Sequence, residues 1–436
     1  MSATITMTYS ATGSHWLSWL RKGGLAVTDQ AMISGSNFAI SILLARWLAA
    51  EQYGAYALAF AAFILVSQLH QALLLEPMSV YGSSVYRGKL RHYLGTLLWM
   101  HSGAIAVISA LLGAGALGVL FTHHSLHLAG ALFGVSIAAP CILLFWLVRR
   151  SFYLELQPAS AVQAAVLYCA LIVVLLFFGN LLKLLSPFTA FLILGIASLG
   201  ASVACLKKLK PIAHLDRDVL SETSRQHWTY GRWALASAVA MWIPSNMYYI
   251  LLGSTTGIAS AGELRALMNL TQPIGQAATA LSLLFVPYAS RMRAERGPQA
   301  LRKISFGITA LFGLGAILYW AVVVAFRGPV VHLFYGGRYA EISAYVPIVA
   351  IASIFQTCIN GPGIGLRANE MPICVFYAYL VSSGITLCAG VVATRLFGVQ
   401  GAVVTMLVAN TSAFLVAQTM LSRNARKVPC VLPESA

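Results

Sequence analysis

The chain has 436 residues, of which 59% are hydrophobic and only 9% charged, and it carries a formal net charge of +16. Apolar runs recur from end to end, which excludes a water-soluble globule. The positive charge sits in short loops between those runs rather than on one polar surface, which excludes a nucleic-acid partner.

A bilayer crossing needs roughly 20 mainly apolar residues. On that basis spans are predicted at 25–48, 54–76, 93–121, 127–148, 159–180, 185–206, 231–252, 258–289, 304–326, 341–362, 371–394 and 400–421. The expected fold is all-α: a polytopic membrane protein of about twelve transmembrane helices in two six-helix lobes. The lobes cover 25–206 and 231–421, the linker 207–230, and the terminal segments 1–24 and 422–436. Lys and Arg number 22 on the side shared by the termini and 5 on the other. The positive-inside rule therefore puts both termini in the cytoplasm and supports an even number of spans. The seven cysteines are scattered without a CxxC spacing, so neither a disulfide framework nor a zinc site is expected. The first twenty residues lack an apolar core, so no cleavable signal peptide is expected.

In span one, Gln30, Ser34, Asn37 and Ser41 fall at i, i+4, i+7 and i+11, one narrow sector of a helix. Asp29 lies near its cytoplasmic end and Arg46 near its outer end. Span two carries Ser67, Gln68, His70 and Gln71 and is predicted to end at Glu76-Pro77, where the carboxylate is either interfacial or functional. His101 in span three reads as a hydrogen-bonded packing residue, and His123, His124 and His127 as solvated interfacial side chains rather than a metal site. Pro140 should bend span four. The stretch from Lys207 to Arg232 reads as a partly amphipathic cytoplasmic linker that lets two bundles move, or as a passive connector held by anionic headgroups.

Span seven places Pro244 beside Ser245 and Asn246. In span eight Arg265, Asn269, Gln272 and Gln276 repeat the i, i+4, i+7, i+11 geometry of span one. An arginine inside a span either faces a wet cavity or lies near the outer interface. Span ten presents Ser353, Gln356, Thr357 and Asn360 before Gly-Pro-Gly-Ile-Gly at 361–365, a run expected to end the helix or to hinge it. Spans eleven and twelve read as scaffold.

The opening two-span unit recurs about 209 positions later. Ser36-Asn37 matches Ser245-Asn246, Leu43-Leu44 matches Leu251-Leu252, Gly54 matches Gly262 and Pro77 matches Pro287. Matched halves with polar faces point to a transporter with its site at the repeat interface and alternating access by rocking of the halves. No nucleotide loop, nucleophile or metal motif favours an enzyme, so gradient-driven transport without a cofactor is expected.

The succession SGSNF, LLARWLAAEQYGAYALA and LLLEPM resembles the start of bacterial lipopolysaccharide, O-antigen and exopolysaccharide flippases of the multidrug/oligosaccharidyl-lipid/polysaccharide exporter superfamily. The resemblance implies a V-shaped bundle in the bacterial inner membrane. It also implies cargo of an oligosaccharide on an undecaprenyl pyrophosphate carrier, moved from the inner to the outer leaflet. Membrane lipids, a polysaccharide polymerase and glycosyltransferases would be its neighbours. Arg265 and Arg46 are then the candidates for the pyrophosphate, since guanidinium donors match phosphate oxygens. Asn37, Gln68, Gln71, Asn246, Tyr248, Asn269, Gln272, Gln276, Gln356 and Asn360 are the candidates for the glycan, and Asp29 and Glu76 for ion coupling. The competing readings are a cation-coupled drug or metabolite antiporter of the same superfamily, and a non-transporting scaffold for polysaccharide enzymes.

Overall fold

The computed structural model describes residues 13–83, 85, 86, 88–123, 125–155, 157–369 and 371–424, and these form helices and connecting turns with no strand. His124 and both chain ends lie outside the described residues. Spans one to seven comprise Gly13–Trp47, then 50–83, Leu90–His123, Leu126–Leu154, Pro158–Leu181, Pro187–Leu209 and Arg217–Thr255. Span eight begins as Ile258–Asn269, bends at Leu270 and Thr271, and continues from Gln272 to a kink at Gly297, after which span nine runs to Ala325. A short helix, Arg327–Tyr335, precedes span ten, which is Val346–Cys358 followed by Asn360–Ala368. Spans eleven and twelve are the arms of Pro372–Asn424, folded about Gly398. Gly297 and Gly398 take φ of 78° and 55°, where a side chain would strain the turn.

Among the described residues, nine helical segments are long and apolar enough to cross a membrane, and the last, Ile373–Arg423, has 51 residues and holds two spans. Spans one and eight, which carry the matched i, i+4, i+7, i+11 stripes, are absent from that set.

Three sequence expectations are corrected. Span two does not end at Glu76-Pro77: a π-turn at Gln71–Leu75 leads into a further helix, Glu76–Ser83. Pro77 has no N–H to offer the Leu73 carbonyl four residues back, and that carbonyl accepts instead from His227 Nδ1 of span seven at 2.9 Å. Pro244 repeats the device, because the Ala240 carbonyl it leaves free accepts from Ser383 Oγ of span eleven at 2.7 Å. The Gly-Pro-Gly-Ile-Gly run neither ends span ten nor leaves it loose. A Cβ on Gly361 would stand 1.9 Å from Thr309 Oγ1, and Ser305 Oγ donates to the Gly361 carbonyl at 2.8 Å, so these glycines form a close seam with span nine. The linker is no free tether either. Ile212 N–H bonds the Arg91 carbonyl at 2.9 Å, and span seven is already helical from Arg217.

Span four packs on spans two, three and six, and span one on span five; spans seven to twelve form the second lobe. Between the lobes, span two lies along span seven, while spans one and eight meet over a shorter stretch. Near the distal face, opposite the termini, the glycines matched by the repeat face each other. A Cβ on Gly54 would stand 1.8 Å from the Ile258 carbonyl, and one on Gly262 would stand 2.9 Å from Gly54 N. Near the terminal face His227 bridges spans two and three, with Nε2 accepting from Tyr93 O–H at 2.8 Å.

Gly54→Ala should therefore lower the melting temperature of the detergent-solubilised protein, at an overpacking cost of roughly 1–3 kcal/mol. Gly35→Ala, whose Cβ meets nothing within 4 Å, should not; equal melting temperatures for the two variants would contradict the contact. His227 precedes the apolar, membrane-crossing part of its helix, Ala234–Thr255, and burial holds its imidazole below the ordinary value near 6.5, against the opposing pull of the Leu73 carbonyl. A depressed folded-state value means the unfolded chain takes the proton first, so this stability is complete above about 6.5 and is lost as pH falls through the folded value. Melting temperature should fall on acidification more steeply for the native protein than for His227→Asn; parallel curves would contradict this.

Candidate functional site

The stripes of spans one and eight face each other and are hydrogen-bonded at two levels. Toward the terminal face Ser34 Oγ donates to Gln276 Oε1 at 2.9 Å. Two turns further out, Ser41 Oγ donates to Asn269 Oδ1 at 2.8 Å, Asn269 Nδ2 donates to the Tyr53 hydroxyl at 3.0 Å, and Tyr53 O–H lies 3.0 Å from Ser41 Oγ. With Tyr53 as the last donor, these groups close a ring in which each side chain both gives and receives. Tyr335 joins it, donating to the Ala266 carbonyl at 2.8 Å beside Asn269. All are buried, so the lobes are locked here by satisfied polar groups.

Arg265 lies in this lock. It is 8% exposed, its Nε donates to Ser41 Oγ at 3.4 Å, and its guanidinium stands 4.3 Å from the centre of the Phe60 ring. Tyr53, Tyr56 and Tyr249 surround it, and Tyr249 also hydrogen-bonds it. Among the described residues no carboxylate lies within ion-pair distance of Arg265. Ring faces and hydroxyls carry the charge instead, a cation–π arrangement whose strength rises on removal from water.

Between the two levels the seam is looser. Asn37, on the stripe between Ser34 and Ser41, is exposed, as is Gln276, and Gln272 is half-buried. Spans one and eight thus touch here chiefly through the Ser34–Gln276 bond, while span two packs along span seven.

The remaining sequence candidates disperse. Arg46 is exposed at the distal end of span one beside Gly336, beyond the lock, and does not join Arg265. Gln68 and Gln71 are half-buried on span two, and Asn246 is half-buried with Nδ2 turned to the Trp242 carbonyl of its own helix at 3.4 Å. Tyr248 is no open platform: it is buried in the second lobe with its hydroxyl 3.2 Å from Thr386 Oγ1. Gln356 is exposed and, with Thr271, Ser353 and Asn410, lines a partly open pocket of about 10 Å³, room for one water. Asn360 Nδ2 donates to the Thr357 carbonyl at 2.9 Å. Span ten therefore buries Ser353 and Thr357 while Gln356 stays exposed.

Asp29 is not the solvated interfacial carboxylate the sequence implied. It is 2% exposed, with Oδ2 2.6 Å from both Arg149 Nη1 and the Tyr153 hydroxyl of span four, while its Oδ1 is buried without a partner. Glu76 is half-buried and interacts with Arg150. Tyr53, Phe60 and Tyr335 were missed as site residues because nothing in their local sequence separates them from the other aromatics. The Tyr53 ring sits one residue before the repeat-matched Gly54, which was the one available signal.

No protein family and no curated protein matches the chain in sequence. Solved structures match in shape. An inward-facing multidrug resistance MATE family transporter of the MOP superfamily superposes with a TM-score of 0.75 at 13% identity, covering 91% of this chain and 94% of that one. An outward-facing MATE family transporter superposes at 0.64 with 14% identity, covering 94% and 96%. The lipid II flippase MurJ in an inward closed conformation also gives 0.64 with 14% identity, covering 94% and 88%. The chain is a multi-pass membrane protein that shares the all-helical fold of these solved transporters.

Proposed function

We propose that this protein is a flippase that moves an oligosaccharide linked to undecaprenyl pyrophosphate across the bacterial inner membrane by alternating access. One observation carries the reading: the seam between the lobes offers a guanidinium, amides and hydroxyls, while the buried carboxylate nearest that face, Asp29, is paired inside its own lobe. A seam of that character suits an anionic, hydroxyl-rich cargo. The exposed amides of Asn37 and Gln276 on spans one and eight support the same class, because a headgroup could meet them while its lipid tail stays among the acyl chains.

The higher TM-score against the inward-facing transporter, 0.75 against 0.64 for the outward-facing one, supports reading this arrangement as open toward the terminal face, the cytoplasmic face on the charge rule. The glycan would enter past Gln276, Asn37 and Gln272. Its pyrophosphate would reach Arg265 only when the Ser41–Asn269–Tyr53 ring parts, so Arg265 acts in translocation rather than in first capture. Gln68, Gln71 and Asn246 would border the path once spans two and seven separate, and Arg46 would meet the headgroup on release. Protonation of Asp29, with loss of its bond to Arg149, is the proposed coupling step. Asn360, whose amide bonds its own helix, drops out of the site, while the exposed Gln356 stays a candidate at its edge.

The rings of Tyr53, Tyr56, Phe60 and Tyr249 around the seam favour a second reading, a cation-coupled antiporter of drugs or metabolites. Reconstituted proteoliposomes separate the two. A fluorescent pyrophosphate-linked isoprenoid glycan should be flipped, Arg265→Ala should slow it about tenfold or more, and Arg265→Lys should keep part of the rate, as expected for loss of a charge-assisted bond. Asp29→Asn should remove the response to a pH gradient. Full activity of Arg265→Ala, or export of a cationic dye without glycan flipping, would overturn the proposal; no transport at all would favour the scaffold reading.

A further inference from the structure

His70 and His101 are buried inside the first lobe, 5% and 4% exposed. His70 Nε2 lies 3.1 Å from His101 Nδ1 across spans two and three, and the rings meet edge to face at 5.2 Å. The other hydrogen bond of His101 goes to the backbone of Pro140 in span four. A proline offers only its carbonyl, so His101 donates there and keeps Nδ1 as a lone pair. His70 Nε2 must then carry the N–H that donates to it, and His70 Nδ1 is left unprotonated. That nitrogen is buried and has no hydrogen-bond partner. Directly after it the helix widens into the π-turn Gln71–Leu75, a loosening that recurs at functional sites.

Among the described residues no carboxylate is within ion-pair distance of either ring. The titratable group acting on His70 is His101 itself. Around them, Glu76 of span two interacts with Arg150 of span four. Asp29 of span one is held by Arg149 and Tyr153 of span four, and His227 of span seven bonds Tyr93 of span three. Cys141, next to Pro140, is only partly buried.

We infer that the His70–His101 pair is a proton-binding site, taking one proton at His70 Nδ1 when movement of span two admits water. An added N–H at Nδ1 points at no acceptor in the present arrangement, so the pair stays unprotonated while His70 is shut off from water. A conformation that wets His70 gains the proton, and by linkage acid favours that conformation. Span two is also the rod whose Gly54 end makes the distal contact, so wetting of His70 and opening of the lock are displacements of one element. The inference rests on alternating access as proposed above but on nothing about the cargo.

Spin labels at Lys183→Cys and Phe397→Cys, exposed distal positions on opposite lobes, report lobe separation in lipid nanodiscs with the native cysteines replaced. From about pH 8 to about pH 5, across the histidine range, the longer distance should gain population, with the ratio changing by at most about tenfold per pH unit for one proton. His70→Asn and His101→Asn should abolish that dependence, and His214→Asn, which removes an exposed histidine of the linker, should keep it. A purely structural role would change the melting temperatures of the histidine variants while leaving the pH slope intact, and that result overturns the site. Labels that stay fixed in every variant at every pH overturn alternating access itself. In the unmutated protein, ring ¹⁵N resonances should show one buried lone-pair nitrogen becoming N–H on acidification; its persistence to about pH 5 would overturn the inference without any mutation.

Discussion

The lobe interface depends on one close approach. Gly54 of span two and Gly262 of span eight let two helix backbones touch near the distal face, and no side chain larger than hydrogen fits at either position without a clash. That approach brings Tyr53 within reach of Ser41 and Asn269 and closes a ring of hydrogen bonds spanning both lobes. In a membrane interior, where unsatisfied polar groups are costly, such a ring is stable only when every member is paired. It therefore behaves as a two-position device: fully closed, or parted with water supplying the lost partners.

Arg265 follows from the same constraint. A guanidinium held by a carboxylate would be neutralised and of little use to an anionic cargo. One held by aromatic faces and a hydroxyl keeps its charge available and loses little when the ring parts. The prolines act in a related way. Pro77 and Pro244 each free a carbonyl that a neighbouring span uses, through His227 and Ser383. His227 ties span seven to spans two and three through Leu73 and Tyr93.

Much of this was legible in the sequence because it rests on periodicity. The i, i+4, i+7, i+11 stripes named the two faces that meet, and the internal repeat named Gly54 and Gly262 as equivalents, although not as partners in contact. What periodicity could not give was depth and tertiary partner. Arg46 and Arg265 look alike as cations near the ends of apolar runs, yet one is exposed beyond the lock and the other is enclosed by it. Asp29 read as interfacial because its partner Arg149 lies 120 residues away. Gly-Pro-Gly-Ile-Gly read as a terminator because local rules describe backbone freedom, whereas span ten uses the glycines for contact with Thr309 and Ser305.

The central claim is that the seam between spans one and eight is wet up to Asn37 and sealed at Ser41, one turn further along the same face. Single cysteines placed at these positions in an otherwise cysteine-free chain, treated with a membrane-impermeant maleimide in vesicles of each orientation, measure that boundary. The account predicts that Asn37→Cys is modified from the side of the termini and that Ser41→Cys is modified from neither side in this state. An Asn37→Cys that reacts from neither side, being open only to acyl chains, would contradict it.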